Sequence, residues 1–271
     1  MKSKAPDQKY LLNQQYKDAS NLSARAQLHI RFSANTYGWQ QWAFDQINVP
    51  DAANLLEIGA GPGWLWAENL RRIPDGWHIT LSDFSAGMLE EARRNLRDSS
   101  HLFRFESFDA QAILFGDKSF DAVIANHMLY HVPDRAKAIS EVHRVLKPGG
   151  CFYAGTNGVN HLRELDDLVS RFDPISKFWE GFSASESFTL ENGADQLVAL
   201  FSSVTMERYP DVLNVNEAEP IVAYLLSGPA QSMLIGEKLS DFRRFVEQEL
   251  ANKGSIRITK DSGMFIAKRE Q

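Results

Sequence analysis

The run Glu57-Ile58-Gly59-Ala60-Gly61-Pro62-Gly63 sets a carboxylate and three glycines between an apolar stretch, Leu55-Leu56, and Trp64-Leu65-Trp66. Glycines at such a strand-to-helix turn let the backbone bend sharply and approach a ligand with no Cβ in the way. A tight turn that binds nothing would carry the same residues, so a second signal is needed. Asp83, closing Leu81-Ser82-Asp83, supplies it. An acidic side chain about 20 residues beyond the last glycine is where a carboxylate reaches a ribose diol beside the turn. A carboxylate only accepts, so two sugar hydroxyls can donate to it at once. The alternative is an exposed Asp before a turn. No Lys-Ser/Thr pair follows the glycines, which removes nucleotide triphosphatases.

His127 and His131 flank Tyr130 just beyond a candidate strand. A neutral imidazole takes a proton near neutral pH, so each is a candidate general base. Against this, His131 precedes Val132-Pro133-Asp134 and would equally brace a loop.

Positioning these groups requires a parallel sheet. From residue 54 to about 155 short apolar runs alternate with amphipathic stretches, the signature of βαβ units. Candidate strands are Asn54 to Ile58, His78 to Ser82, Leu102 to Ser107, Ala122 to Ala125 and Cys151 to Gly155. A helix is expected over 134–146, with Asp134 as N-cap, one apolar face of Ala138, Val142, Val145 and Leu146, and a stop at Lys147-Pro148-Gly149-Gly150. Residues 8–48 look helical and contain Tyr37-Gly38-Trp39-Gln40-Gln41-Trp42-Ala43-Phe44, expected to pack on the sheet or to form part of a lid. Beyond residue 156 the pattern turns mostly helical and reads as an inserted cap. The last segment reads as a hairpin, Ile256 to Thr259 and Met264 to Ala267, turning at Lys260-Asp261-Ser262-Gly263.

Composition narrows the function. The 271 residues are 44% hydrophobic and 24% charged, as in a folded globular protein. A net charge of −6 without a basic stripe argues against nucleic acid as a partner. No apolar run approaches the ~18 residues of a membrane span. The first residues lack the apolar segment of a secretory signal, and Cys151 is the only cysteine. A cytoplasmic protein with no membrane association and no metal site is the expectation.

The glycine turn, together with Asp83, Phe84, Asp109-Ala110, Ser119-Phe120-Asp121-Ala122-Val123 and Val145-Leu146-Lys147-Pro148-Gly149-Gly150, resembles the class I S-adenosylmethionine-dependent methyltransferases. The likeness is to their small-molecule, type 11-like branch, and it covers roughly residues 50–156. It implies an α/β, Rossmann-like, mostly parallel seven-stranded sheet with a terminal antiparallel hairpin, to which the sequence pattern outside that span adds an N-terminal helical lid (1–48) and an inserted helical cap (157–235). A cofactor-binding core (49–156) and a C-terminal helix and hairpin (236–271) complete that organisation. S-adenosyl-L-methionine would be the cofactor and S-adenosyl-L-homocysteine the product.

By the same resemblance Glu57 would approach the methionine amino group, with the backbone of Gly59, Ala60 and Gly61 along the cofactor. Asp83 would hold the ribose, Phe84 and Met88 would border the adenine, and Asp109 and the Ala110 amide would read its edge. Asn126 and His127 would face the methionine side and the methyl group. Arg31, in the N-terminal helical region, is a candidate for the cofactor carboxylate. The pattern Gly59-x-Gly61-x-Gly63 lacks the two residues between second and third glycines of the dinucleotide fingerprint, which disfavours a nicotinamide-dependent oxidoreductase. A non-catalytic module that binds the same cofactor is the other alternative. Asn126-His127-Met128 lacks the Pro-Pro-aromatic pattern of amino-methylating nucleic-acid enzymes, no Pro-Cys pair offers a thiol, and no Asp/Asn cluster suggests magnesium. A small organic acceptor, methylated at oxygen, nitrogen or carbon, is therefore expected. Of the aromatics Phe172, Phe178, Trp179, Phe182, Phe188 and Tyr224, most are expected in the core of the cap and a few against the acceptor.

Overall fold

The computed structural model describes residues 20–175 and 187–271. Residues 1–19 of the expected lid, and Phe178, Trp179 and Phe182, lie outside them. The chain runs α1 (Ser20–Phe32), α2 (Trp39–Asp45), β1 (Ala52–Ile58), α3 (Trp64–Ala67), β2 (Gly76–Asp83), α4 (Ala86–Leu96), β3 (Phe103–Ser107), β4 (Phe120–Asn126), α5 (Arg135–Val145) and β5 (Leu146–Asn157). It continues through α6 (Arg163–Phe172), α7 (Gly193–Leu197), β6 (Ser203–Val215), α8 (Ala218–Leu226), α9 (Gly236–Lys253) and β7 (Ile256–Lys268). The seven strands form one sheet in the order β3-β2-β1-β4-β5-β7-β6. The first five are mutually parallel, and β7 runs antiparallel to both β5 and β6.

Strands β1 and β4 are apolar at successive positions because both faces of the sheet are covered. Leu55, Ala122 and Ile124 pack on one side with α2 and α3, through Phe44, Leu65 and Trp66. Leu56, Val123 and Ala125 pack on the other against Ala138, Ile139, Val142 and Val145 of α5. Helix α5 is capped as its sequence implies, the Asp134 carboxylate accepting from the Lys137 amide at 3.0 Å. A second core lies beyond the carboxyl end of β5. There α1, α6, α8 and α9 enclose the far parts of β6 and β7 through Leu28, Leu165, Ile221, Phe242 and Ile258.

The C-terminal antiparallel pair is built differently from the expected hairpin. Residues 256–268 are one continuous strand, and its antiparallel partner is β6, from Ser203↔Lys268 to Val215↔Ile256. Lys260-Asp261-Ser262-Gly263 is therefore mid-strand, and β6 belongs to the sheet although it falls within 157–235, the stretch expected to be a helical cap. Turn-forming residues are tolerated because β6 pairs with all four, and β5 with Ser262 and Gly263 as well. A Cβ on Gly263 would come within 2.5 Å of the Glu207 carbonyl oxygen. Only the half of β7 from Ser262 onward pairs with β5. The rest, with the matching half of β6, forms a two-stranded arm reaching past the sheet.

Candidate active site

Parallel strand order reverses between β1 and β4, and at such a point the two following connections diverge and leave a crevice at the carboxyl ends. A cavity of ≈ 1080 Å³ occupies it, continuing under α1 and along the β6–β7 arm. Glu57, Gly59, Ala60, Gly61, Asp83 and Phe84 line it from the first two strands. Met88, Asp109, Ala110, Asn126, His127 and His131 line it from α4 and the ends of β3 and β4.

The glycine turn is held open by its surroundings. Gly59 and Gly61 have φ of +64° and +54°, a region that side chains disfavour. A Cβ on Gly59 would meet the Met128 side chain at 2.8 Å, whereas at Gly61 it would face only Leu22, 3.9 Å away. The Ala60 amide donates to the Ser82 carbonyl at 2.9 Å, and Asn95 Nδ2 of α4 donates to the Pro62 carbonyl at 2.9 Å. Turn, second strand and following helix thus form one unit.

Asp83 sits at its centre. Its Oδ2 accepts from the Gly61 amide at 2.9 Å and its Oδ1 from the Ser85 amide at 2.8 Å. The Phe84 amide adds a third bond, and a carboxylate with about four acceptor sites keeps capacity for a hydroxyl donor. Burial raises the Asp83 pKa, partly opposed by these amide bonds. Phe84, 41% exposed, and the buried Met88 offer apolar surface beside it. Asp109 accepts from the Gln111 amide at 2.9 Å and is fixed at the neighbouring strand end. Glu57 is 2% exposed, and the indole Nε1 of Trp66 donates to its Oε2 at 2.6 Å. Burial, and secondarily the charge of Asp83, push its carboxyl up to about 8. These residues fit a ligand with a vicinal diol, a flat base and an amino cation: a glycine face without side chains, a diol acceptor with free lone pairs, and a buried acid seeking a cation.

Arg31 does not reach the cavity. Its guanidinium pairs with Glu217 at 2.5 Å on the surface, because position 31 faces away from the crevice. The arginine of α1 that lines the cavity is Arg25, which donates to Ser227 Oγ and O at 2.9 Å.

The aromatic segment before β1 divides its work. Ala43 and Phe44 enter the core, while Trp39 turns to the cavity. Its indole donates to Asn126 Oδ1 at 3.1 Å, and its ring lies 4.6 Å from that of His127. His127 has a φ of +55°, and desolvation together with the charge of Lys260 lowers its pKa to about 4. Desolvation, with a smaller effect of Arg25, lowers His131 to about 3.

Sequence reasoning missed His29, His161, Tyr209, Lys260 and Ser262, which line the remaining wall. Tyr224, expected among the cap aromatics, lines it too, whereas Phe188 is wholly buried in the core and Phe172 packs on Phe242.

Comparison with known proteins agrees with this geometry. Residues 56–154 match the methyltransferase domain model. Over that segment the chain is similar to the class I S-adenosylmethionine-dependent methyltransferases. It is 29% identical over 179 residues to a ubiquinone/menaquinone biosynthesis C-methyltransferase of Vibrio vulnificus, the match covering 64% of each protein. In fold it is similar to phosphoethanolamine N-methyltransferase 2 of Haemonchus contortus in complex with S-adenosyl-L-methionine. That likeness has a TM-score of 0.60 at 18% identity and covers 97% of this chain and 60% of the other. The YcgJ protein of Bacillus subtilis superposes with a TM-score of 0.59 at 16% identity, covering 86% of this chain and 98% of that one. S-adenosylmethionine is the cofactor of the family, and the residues at the glycine turn fit it.

Proposed function

We propose that the chain is an enzyme that transfers a methyl group from S-adenosyl-L-methionine to a small organic acceptor at oxygen, nitrogen or carbon. The observation that carries this reading is the convergence of the glycine turn, Asp83, Glu57 and Asp109 on one wall of a cavity that continues past them under α1 and along β7. The cofactor, when bound, supplies a methyl group already activated on a sulfonium. The protein is then left with binding, alignment and exclusion of water. Asp83 would hold the ribose hydroxyls, Glu57 the amino group, Asp109 and the Ala110 amide the base edge, and Phe84 and Met88 its faces. Asn126, fixed by Trp39, and His127 would border the transferable group.

His127 and His131 enter this reading as neutral groups that shape and hydrogen-bond rather than as strong bases. An imidazole held at about 4 or about 3 has little affinity for a proton taken from an acceptor. The name of the Vibrio relative favours carbon as the acceptor atom. A soluble, cytoplasmic setting accords with the absence, among the described residues, of any helix long and apolar enough to cross a membrane.

Two measurements test the reading together. Calorimetry should give saturable binding of S-adenosylmethionine, and a coupled assay of S-adenosylhomocysteine release should respond to members of a panel of small phenols, amines and carbon acids. Cofactor binding without turnover on any acceptor would favour a binding module.

A further inference from the structure

The charged groups lining the cavity are segregated. Among the described residues all four acids, Glu57, Glu68, Asp83 and Asp109, come from the ends of β1, β2 and β3 and from the turn of helix after β1. Among the described residues the two cations, Arg25 and Lys260, come from α1 and β7. A sulfonium cofactor on the acidic side leaves the opposite wall for the acceptor, and that wall is organised around Lys260.

Lys260 lines the cavity and is held in place. Its ammonium pairs with Asp211 at 2.8 Å, the two side chains being 9% and 0% exposed, and lies 4.9 Å from the centre of the Tyr209 ring. Asp211 does not line the cavity and is already engaged from behind. It accepts from the Asn35 amide at 3.0 Å, from the Val212 amide at 2.7 Å and from Ser33 Oγ. The carboxylate thus anchors the lysine, and an ammonium with three protons keeps donors beyond the one spent on it.

Two imidazoles complete the wall. The rings of His29 and His161 stack with centroids 5.8 Å apart and planes 18° from parallel. Ser262 spends its hydroxyl proton on Asn157 Oδ1 at 2.7 Å, and His161 Nδ1 lies 3.4 Å from the same hydroxyl oxygen. His29 Nδ1 is buried without a hydrogen-bond partner among the described residues, an arrangement that costs free energy unless a ligand supplies one. The field of Lys260 is felt across the wall: after desolvation it is a cause of the lowered pKa of His29, to about 3, and it depresses His127 and His161 as well. A field that opposes protonation of three imidazoles stabilises negative charge in the same space.

We propose that the acceptor binds as an oxyanion, with its charged oxygen on Lys260 and within reach of His29. This rests on the methyltransferase reading and deepens it, since an acceptor that arrives deprotonated needs no strong base from the protein. Phenolates, enolates and carboxylates share the required chemistry.

The test uses the whole protein saturated with S-adenosylhomocysteine, and three probes of one skeleton: 4-nitrophenol, 4-nitrobenzoate and the neutral 4-nitroanisole. The two anions should bind, and the neutral ether at least tenfold more weakly. Bound nitrophenol should show its phenolate absorbance at a pH where the free probe is mostly neutral. Nitrophenol against nitrobenzoate separates a phenolate seat from a carboxylate seat. Lys260→Met should weaken anion binding by about ten- to a hundredfold, the loss of one charge-assisted hydrogen bond. Because that change leaves Asp211 buried without its cation, the double variant Asp211→Asn/Lys260→Met is measured beside it. Equal affinity for ether and anions, bound nitrophenol in its neutral form, or an unchanged anion affinity in the double variant would overturn the proposal. Calorimetry of S-adenosylhomocysteine on the same samples separates the two levels: failure there strikes the methyltransferase reading, whereas normal cofactor binding with charge-blind probe binding strikes the anion seat alone.

Discussion

Trp66 Nε1 donates to Glu57 Oε2 at 2.6 Å, so the acid at the start of the glycine turn is buried against the first helix that follows it. One indole proton is insufficient to offset burial, and the carboxyl rises from 4.5 to about 8. A folded-state value above the unfolded one makes a contribution to stability that is complete below the unfolded value and lost as pH rises through the folded one. In the free protein, the Glu57 contribution should therefore decline between pH 4.5 and about 8. A bound amino cation would ionise the acid, remove this slope and release close to one proton at neutral pH. Cofactor affinity should accordingly climb with pH up to about 8 and then level off. Melting curves across this range with and without S-adenosylhomocysteine, and calorimetry in buffers of different ionisation enthalpy, read both effects. A pH-independent affinity would place the amino group elsewhere.

Asp83 both ties the Gly61 amide to β2 and presents its free lone pairs to the cavity. Hydrogen bonds to a charged group are each worth about 1.5 to 3 kcal/mol, so Asp83→Ala should weaken cofactor binding by on the order of a hundredfold or more. Asp83→Asn, with one acceptor oxygen left, should fall between the two. Titration calorimetry decides; parental affinity in Asp83→Ala would show that the ribose lies elsewhere.

For the histidines, a strong general base would cost about a hundredfold in turnover on removal. With imidazoles held at about 4 and about 3, His127→Asn and His131→Asn should each cost less than about tenfold in single-turnover rate. Cofactor affinity should stay near the parental value. A loss of a hundredfold in either would restore that residue as a base.

Helix α1 forms one wall of the cavity, yet its C-terminal end is fastened down. Leu28 is buried in the second core, and the Ala34 amide donates to the Val212 carbonyl at 2.8 Å. Hydrogen exchange should show protection at Leu28 to Ala34 with or without cofactor, and a gain on binding confined to residues 20–26. Uniform change along the helix would mean that it swings as a whole, as a lid does.

The central sheet was legible because burial on both faces leaves continuous apolar runs, as at Leu55-Leu56 and Val123-Ile124-Ala125. The cofactor side was equally legible, since its residues follow strand ends at fixed separations. Strand β6 was not. Thr205, Glu207, Arg208 and Pro210 give it a polar, broken pattern that only an edge position tolerates. The turn-like Lys260-Asp261-Ser262-Gly263 misled because cross-strand partners, such as Arg208 paired with Asp261, override local preference. His29, His161 and Lys260 share one wall only through the fold, being separated in sequence by more than a hundred residues on average, so no spacing rule brings them together.

Strand β7 lies between β5 and β6, and β6 enters the sheet through it. During synthesis the glycine turn, Asp83 and Asp109 all emerge well before β7 does, while β6 waits without a strand to pair with. The crevice for the cofactor can therefore take shape on a nascent chain whose opposite wall is still missing. Lys260 arrives with β7, so competence to receive an acceptor is acquired last, in the step that also closes the exposed edge of β5 and gives β6 its place.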